Sequence, residues 1–130
     1  MIKVIKFGGT SIANSEAIKH VYNIIKNNKS KLIVVVSAFA QITDLLSSSI
    51  DLASNGNKLY LKKLDNIKKR HIEIINENIS NKFQKKIISF LNLKIDEIKD
   101  LLSSIESLAE TTKKSSSKIM SYGEVLSSTI

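Results

Sequence analysis

The run Leu32-Ile33-Val34-Val35-Val36 constrains this chain most: five apolar residues in a row, three of them β-branched valines. Such a run fits a strand covered on both faces, a demand met by a parallel sheet with helices on either side. An earlier strand over residues 2–6 (Ile-Lys-Val-Ile-Lys) alternates in the β period. Phe7-Gly8-Gly9-Thr10-Ser11 breaks that period with adjacent glycines. A helix then fits residues 15–28. Asn14 or Ser15 can cap it, Glu16 sits in its first turn, and Ala17, Val21, Ile24 and Ile25 share a face. Asn27-Asn28 closes it. Strand, glycine loop, helix and strand in that order predict a right-handed parallel crossover, and hence an α/β fold.

After Ser37 the pattern turns helical. Thr43 can cap a helix running to about Ser54, with Asp44 favourable at its positive end. Asn55-Gly56-Asn57 is a turn. Residues 58–79 read as an amphipathic helix with Leu61, Leu64, Ile67, Ile72, Ile75 and Ile79 on its apolar side. A second long helix spans about 83–110, where Leu91, Ile95, Ile98, Leu102, Ile105 and Ala109 recur at spacings of four and three. Fewer than three heptads are present, so a helical hairpin is expected over a coiled coil. The +6 charge over 58–99, from 11 bases and 5 acids, reads as a solvated face. A last helix is expected from near Ser117 through Met120, Val125 and Leu126 to the end. Two strands make a poor sheet, and the final helix has no stop signal. The expectation is the N-terminal part of a larger parallel-sheet domain, or a shortened gene product.

Composition narrows the function classes. A chain of 130 residues supports one hydrophobic core, and 42% hydrophobic with 25% charged residues is ordinary for a globular protein. No apolar run is long enough to span a bilayer, and no basic leader precedes an apolar stretch, so neither membrane nor secretory signal is expected. Without cysteine there is no disulfide or thiolate metal site, and His20 and His71 are too few for a metal cluster. A cytoplasmic location follows as the expectation. The net charge of +8 comes from 19 lysines and one arginine, Arg70, beside 21 isoleucines and 11 asparagines. That combination is the mark of AT-rich codons. Readers of phosphate and base edges lean on arginine, so nucleic acid is not the expected partner.

Three segments carry candidate chemistry. Lys6-Phe7-Gly8-Gly9-Thr10-Ser11 follows a strand, where glycines let the backbone approach an anion and the next helix offers its positive end. It matches neither standard nucleotide motif, and on spacing alone such a pair is most often just a turn. Ser37-Ala38-Phe39-Ala40-Gln41-Ile42-Thr43-Asp44 follows the buried strand, a place for a substrate crevice or an ordinary capped loop. Ser121-Tyr122-Gly123-Glu124-Val125-Leu126-Ser127 puts glycine inside a helix at a cost of about 1 kcal/mol, which asks for a close approach or a break.

Together these segments resemble the aspartokinases. The resemblance rests on Lys-Phe-Gly-Gly-Thr-Ser at 6–11, Val-Val-Ser-Ala-x-Ala-x-Ile-Thr-Asp-Leu-Leu at 35–46 and Ser-Tyr-Gly-Glu-x-Leu-Ser at 121–127. Tyr60 and Arg70-His71-Ile72-Glu73 are similar to the form fused to homoserine dehydrogenase. The resemblance implies an amino-acid-kinase-like parallel sheet, N-terminal part only, with a helical insertion. Residues 1–57 would be the nucleotide and substrate core, 58–112 the insertion and 115–130 the substrate-site helix. It also implies phosphoryl transfer from ATP to the side-chain carboxylate of L-aspartate, with Mg2+ arriving on ATP. Lys6 would be catalytic, and Lys6, Phe7, Gly8, Gly9, Thr10 and Ser11 would hold phosphate. Ser37, Thr43 and Glu124 would bind aspartate. The whole protein is expected to form a homo-oligomer, while the 130-residue chain alone is expected to be inactive. The competing expectation is a helical module without catalysis whose basic face contacts RNA, an acidic partner or another helix, with steep salt dependence of RNA affinity as its mark.

Overall fold

The computed structural model describes residues 1–130. Strands β1 (Ile2–Phe7) and β2 (Lys31–Val36) pair in parallel, with Ile2 opposite Lys31 and Phe7 opposite Val36. A short 3-10 turn (Gly9–Ile12) and helix α1 (Ser15–Lys26) connect them, as a crossover requires. Four helices follow: α2 (Ile42–Ser54), α3 (Tyr60–Asn78), α4 (Asn81–Leu108) and α5 (Lys113–Ser128).

α1 begins where the sequence places it. The Asn14 side chain accepts the Ala17 N–H at 2.9 Å, Glu16 occupies the first turn and Lys26 the last. In α3 and α4 the apolar spacing produces one packed interface: Leu64, Ile67 and Ile75 meet a core that includes Leu91, Ile98 and Leu102. α2 packs on both helices, and one continuous core of 22 buried residues joins them to α5 and to the strand ends. Each fully buried Leu or Ile contributes ~1.5–3 kcal/mol, so most of the stability lies in this helical body. The lysines at 62, 69, 82, 85, 86 and 99 stand exposed on its outside, as a solvated face should.

Several expectations need correction. β2 is not covered on both faces. In the parallel register Ile2, Val4 and Lys6 share one face with Lys31, Ile33 and Val35, and its apolar residues are exposed. Helices cover part of the opposite face, where Phe7 is buried, Ile5, Leu32 and Val36 are half-buried and Val34 is exposed. Thr43 is not the cap of α2. That position falls to Gln41, whose backbone is left-handed (φ 71°) and whose side chain caps nothing. The fully buried Ile42 draws the helix start two residues earlier. α5 starts at Lys113, before Ser117, because Thr112 and Ser115 form a reciprocal capping box. α4 stops at Leu108, with Ala109 left-handed (φ 51°) and exposed. Ile24, Leu61 and Val125 are also exposed, at the margins of their helices' apolar stripes.

Candidate functional site

Parallel pairing brings the ends of β1 and β2 together, and with them the two loops that the sequence singled out. The Ser37 N–H donates to the Phe7 carbonyl at 3.1 Å, extending the ladder one step past β2. Beyond that bond the loops leave backbone donors free. No turn, loop or cap hydrogen bond uses the N–H of Gly8, Gly9 or Thr10, nor those of Ala38, Phe39, Ala40 or Gln41. Backbone donors of this kind, clustered at the carboxyl ends of parallel strands, suit anions.

The glycines in these segments have separate reasons. A β-carbon on Gly8 would meet nothing within 4 Å, so the turn is open to an approaching group. One on Gly9 would come within 3.2 Å of the Ala38 carbonyl oxygen, so this glycine lets the two loops touch. At Gly123 a β-carbon would lie 2.8 Å from the Ala38 β-carbon and 3.5 Å from Leu46. The glycine inside α5 therefore marks close approach, not a break: α5 runs unbroken across it. Ala38 is thus the meeting point of all three segments.

Two further bonds hold α5 there. The buried Ser127 hydroxyl donates to the Ser37 carbonyl at 2.6 Å, with a longer contact of 3.2 Å to the Glu124 carbonyl. The Tyr122 hydroxyl donates to Glu97 on α4 at 2.8 Å, and Lys94 binds the same carboxylate at 3.1 Å. Burial, reinforced by that carboxylate, pushes the Tyr122 phenol up to about 12. The reverse effect lowers Glu97, first through the tyrosine hydroxyl and then through Lys94. The tyrosine is therefore a neutral donor across the physiological range, and the α4–α5 tie does not titrate there.

The anticipated residues fall into place unequally. Lys6 is exposed at the penultimate position of β1, and Thr10 and Ser11 are exposed on the turn. Phe7 puts its ring in the core and its carbonyl on Ser37. Ser37 is half-buried between the strand end and α5. Thr43 and Glu124 are both exposed, each next to a residue of the packed contact: Thr43 follows Ile42, and Glu124 follows Gly123. The 3-10 turn corrects one detail. The glycine loop does not feed α1 directly, and the α1 terminus is already served by Asn14 and Glu16.

Sequence reasoning passed over Ala38, Gln41 and Ser127. Gln41 is a non-glycine residue in the left-handed region, a strain that persists only where surrounding structure imposes it. It leaves the start of α2 without a side-chain cap, beside the free amides. The helical glycine was the one signal in the sequence for the Ala38 contact. An apolar groove of about 660 Å³ borders the site through Phe39 and Ser127, between α1, β2 and the ends of α3 and α5. None of the anticipated site residues lines it, and Val21, Ile25, Val34 and Val36 make it a gap under the crossover helix.

Known proteins share the sequence pattern and the backbone of this chain. The chain is 28% identical over 128 residues to a chloroplastic bifunctional aspartokinase/homoserine dehydrogenase of Zea mays, covering 98% of itself and 14% of that protein. It is 32% identical to the bifunctional enzyme of Buchnera aphidicola, covering 97% of itself and 16% of the relative. Its backbone is similar to that of Escherichia coli aspartokinase III in complex with aspartate and ADP. The TM-score is 0.81 at 26% identity, over 98% of this chain and 27% of that one. The chain thus spans about a seventh to a quarter of the proteins that it matches. The model of the amino acid kinase family matches residues 1–126, nearly the whole chain, and with the fold in agreement the chain belongs to that family.

Proposed function

We propose that this chain forms the substrate-binding front of an aspartate kinase, which transfers the γ-phosphoryl group of ATP to the side-chain carboxylate of L-aspartate. The product, 4-phospho-L-aspartate, opens the biosynthesis of lysine, threonine and methionine. The observation that carries this reading is the convergence of three separated segments on Ala38. A relative of similar backbone binds aspartate and ADP.

Each residue has a role that its position supports. Lys6 and the free amides of Gly8, Gly9 and Thr10 offer positive charge and donors to phosphate oxygens, with the open Gly8 admitting them. The Phe7 ring anchors that turn, and Ser11 closes it by donating its N–H to Gly8. The uncapped start of α2 has orphan N–H groups for a substrate carboxylate, joined by the Thr43 hydroxyl. Glu124 is a partner for the α-ammonium, and Ser37, at the strand end against α5, is a further contact for aspartate. Magnesium enters with ATP, held by phosphates and water. The division of labour is 1–57 for the core, 58–112 for a helical insertion and 115–130 for the substrate-site helix. The whole protein works as a homo-oligomer in the cytoplasm.

The test is aspartate-dependent ADP release by the whole gene product. Lys6→Ala is expected to lower kcat by about 10²-fold or more, since its charge matters most as phosphoryl charge redistributes. Glu124→Ala is expected to raise KM for aspartate by removing a ground-state ion pair. Unchanged kcat in the first or unchanged KM in the second removes these roles. The 130-residue chain alone is expected not to turn over, and activity should return when the remainder is supplied in trans.

A further inference from the structure

Two consecutive residues of α3, Arg70 and His71, reach back to the two loops of the site. The Arg70 guanidinium donates through Nη2 to the carbonyl of Ala13 at 2.6 Å, at the point where the glycine turn ends and α1 begins. The His71 ring lies 5.3 Å from the ring of Phe39 at 56°, a tilted aromatic contact with the loop after β2. One turn of one helix thus touches both loops from behind. Further along α3, the Ser15 hydroxyl donates to Asn78 at 3.1 Å, fixing the start of α1 to the same helix.

Neither residue is what simple packing calls for. The other fully buried positions of α3 are Ile67 and Ile75, yet His71 is as buried as they are. Its Nδ1 lies 2.7 Å from the Ile67 carbonyl, which can only accept, so Nδ1 carries the proton and Nε2 is the bare acceptor. That Nε2 is buried without a partner, an arrangement that costs stability and that an isoleucine would avoid. Arg70 is the single arginine in a chain of 19 lysines, with its Nε also buried and unpartnered. A lysine is a point charge on a flexible stem and does not reproduce the planar reach of Nη2 to Ala13.

We propose that Arg70 and His71 are positioning residues, which set the glycine turn and the post-β2 loop against each other from behind the site. The inference rests on the functional reading only for what the loops bind. The clamp itself rests on geometry. Arg70 governs the turn of residues 8–13, and His71 governs residues 38–42, so their effects separate.

The experiment is amide hydrogen exchange on the full 130-residue chain, comparing Arg70→Ala, Arg70→Lys, His71→Ala and His71→Phe with the parent. Arg70→Ala is expected to speed exchange at Ser11, whose N–H is bonded to Gly8, by about tenfold, with Ile42 unchanged. His71→Ala should speed exchange at Ile42, bonded to Phe39, and leave Ser11 unchanged. Lysine at 70 should fail to restore protection, whereas phenylalanine at 71 should keep the ring contact and preserve it. Uniform loss of protection through α4 in the alanine variants, with the lysine and phenylalanine variants equal to the parent, would make these ordinary core residues and overturn the proposal. So would unchanged exchange at both amides. Isothermal titration with ATP and with aspartate on the whole gene product addresses the other reading. If the parent binds neither ligand, the functional reading fails, and the exchange result still decides the clamp.

Discussion

The helical body and the two-stranded sheet use the same residue types in opposite surroundings. Ile42, Leu46, Ile67, Ile98 and Leu102 are fully buried in the helices, while Ile2, Val4, Ile33 and Val35 on the sheet's outer face leave 41–67% of their surface exposed. Intrinsic preference does not explain the difference, since isoleucine and valine are good strand formers. What differs is the covering layer: the helices pack on one another, and the sheet has helices on one side only. The candidate site lies on the seam between the two. Its loops grow from the sheet, but Gly123, Ser127, Arg70 and His71 hold them from the helices. The geometry of the site therefore depends more on the helical body than on the strands that carry it.

The sharpest way to break this comparison is a pair of substitutions. Leu102→Ala is expected to cost about 2–5 kcal/mol, through lost burial and the cavity left behind. Ile33→Thr should change stability by less than about 0.5 kcal/mol, because the residue is half exposed and keeps its β-branch. Equal losses in urea unfolding would mean that the outer sheet face contributes as much to the fold as the core does. Next in size is Gly123→Ala. Helix propensity favours alanine by about 1 kcal/mol, but overlap with the Ala38 β-carbon opposes it by ~1–3 kcal/mol. A net loss of about 1–2 kcal/mol is expected, recovered largely when Ala38→Gly is added. A stabilised single variant would show that the seam yields easily. Ser127→Ala removes the bond to the Ser37 carbonyl and should cost about 1 kcal/mol, with faster exchange in residues 37–42.

The gentlest test varies pH. Burial holds the His71 imidazole below its ordinary value of 6.5, the adjacent Arg70 charge adds to this, and the Ile67 carbonyl opposes it. The unfolded chain takes up a proton that the folded chain refuses. His71 thus contributes full stability above pH 6.5, and the contribution declines as pH falls from 6.5 to the depressed folded value. Thermal unfolding across that window should show the decline in the parent and a flatter profile in His71→Phe. A parent profile without slope would mean that the buried ring carries its charge without penalty.

The helices were legible because their apolar residues repeat at three and four over several turns, as in Leu91, Ile95, Ile98 and Leu102. Parallel pairing was legible from the order strand, glycine loop, helix, strand. The covering of β2 was not, since an apolar run states what a strand tolerates and not which neighbours are present. The ends of helices were legible only where a side chain announces them. Asn14 does so, whereas Thr112 pairs with Ser115 instead of the Glu or Gln that usually marks a capping box. Gln41 gave no sign of its left-handed backbone. At the site, glycine inside α5 revealed that something comes close, but the identity of Ala38 is a tertiary fact with no local trace.

The bond from Ser127 to Ser37 joins residues 90 apart in sequence, and it governs the order in which the molecule can assemble. The strands pair across roughly a third of that separation, and α3 meets α4 through a turn of a few residues. Closing the longer loop costs about 1 kcal/mol more in chain entropy than closing the shorter one, before any contact is gained. Local helices and their hairpin are therefore expected to form first, and the seating of α5 on the loops is expected later than its tie to α4 through Tyr122 and Glu97, 25 residues apart. By the same reasoning its departure is the earliest opening on the way out. The site that would bind substrate is then expected to complete late and to open early.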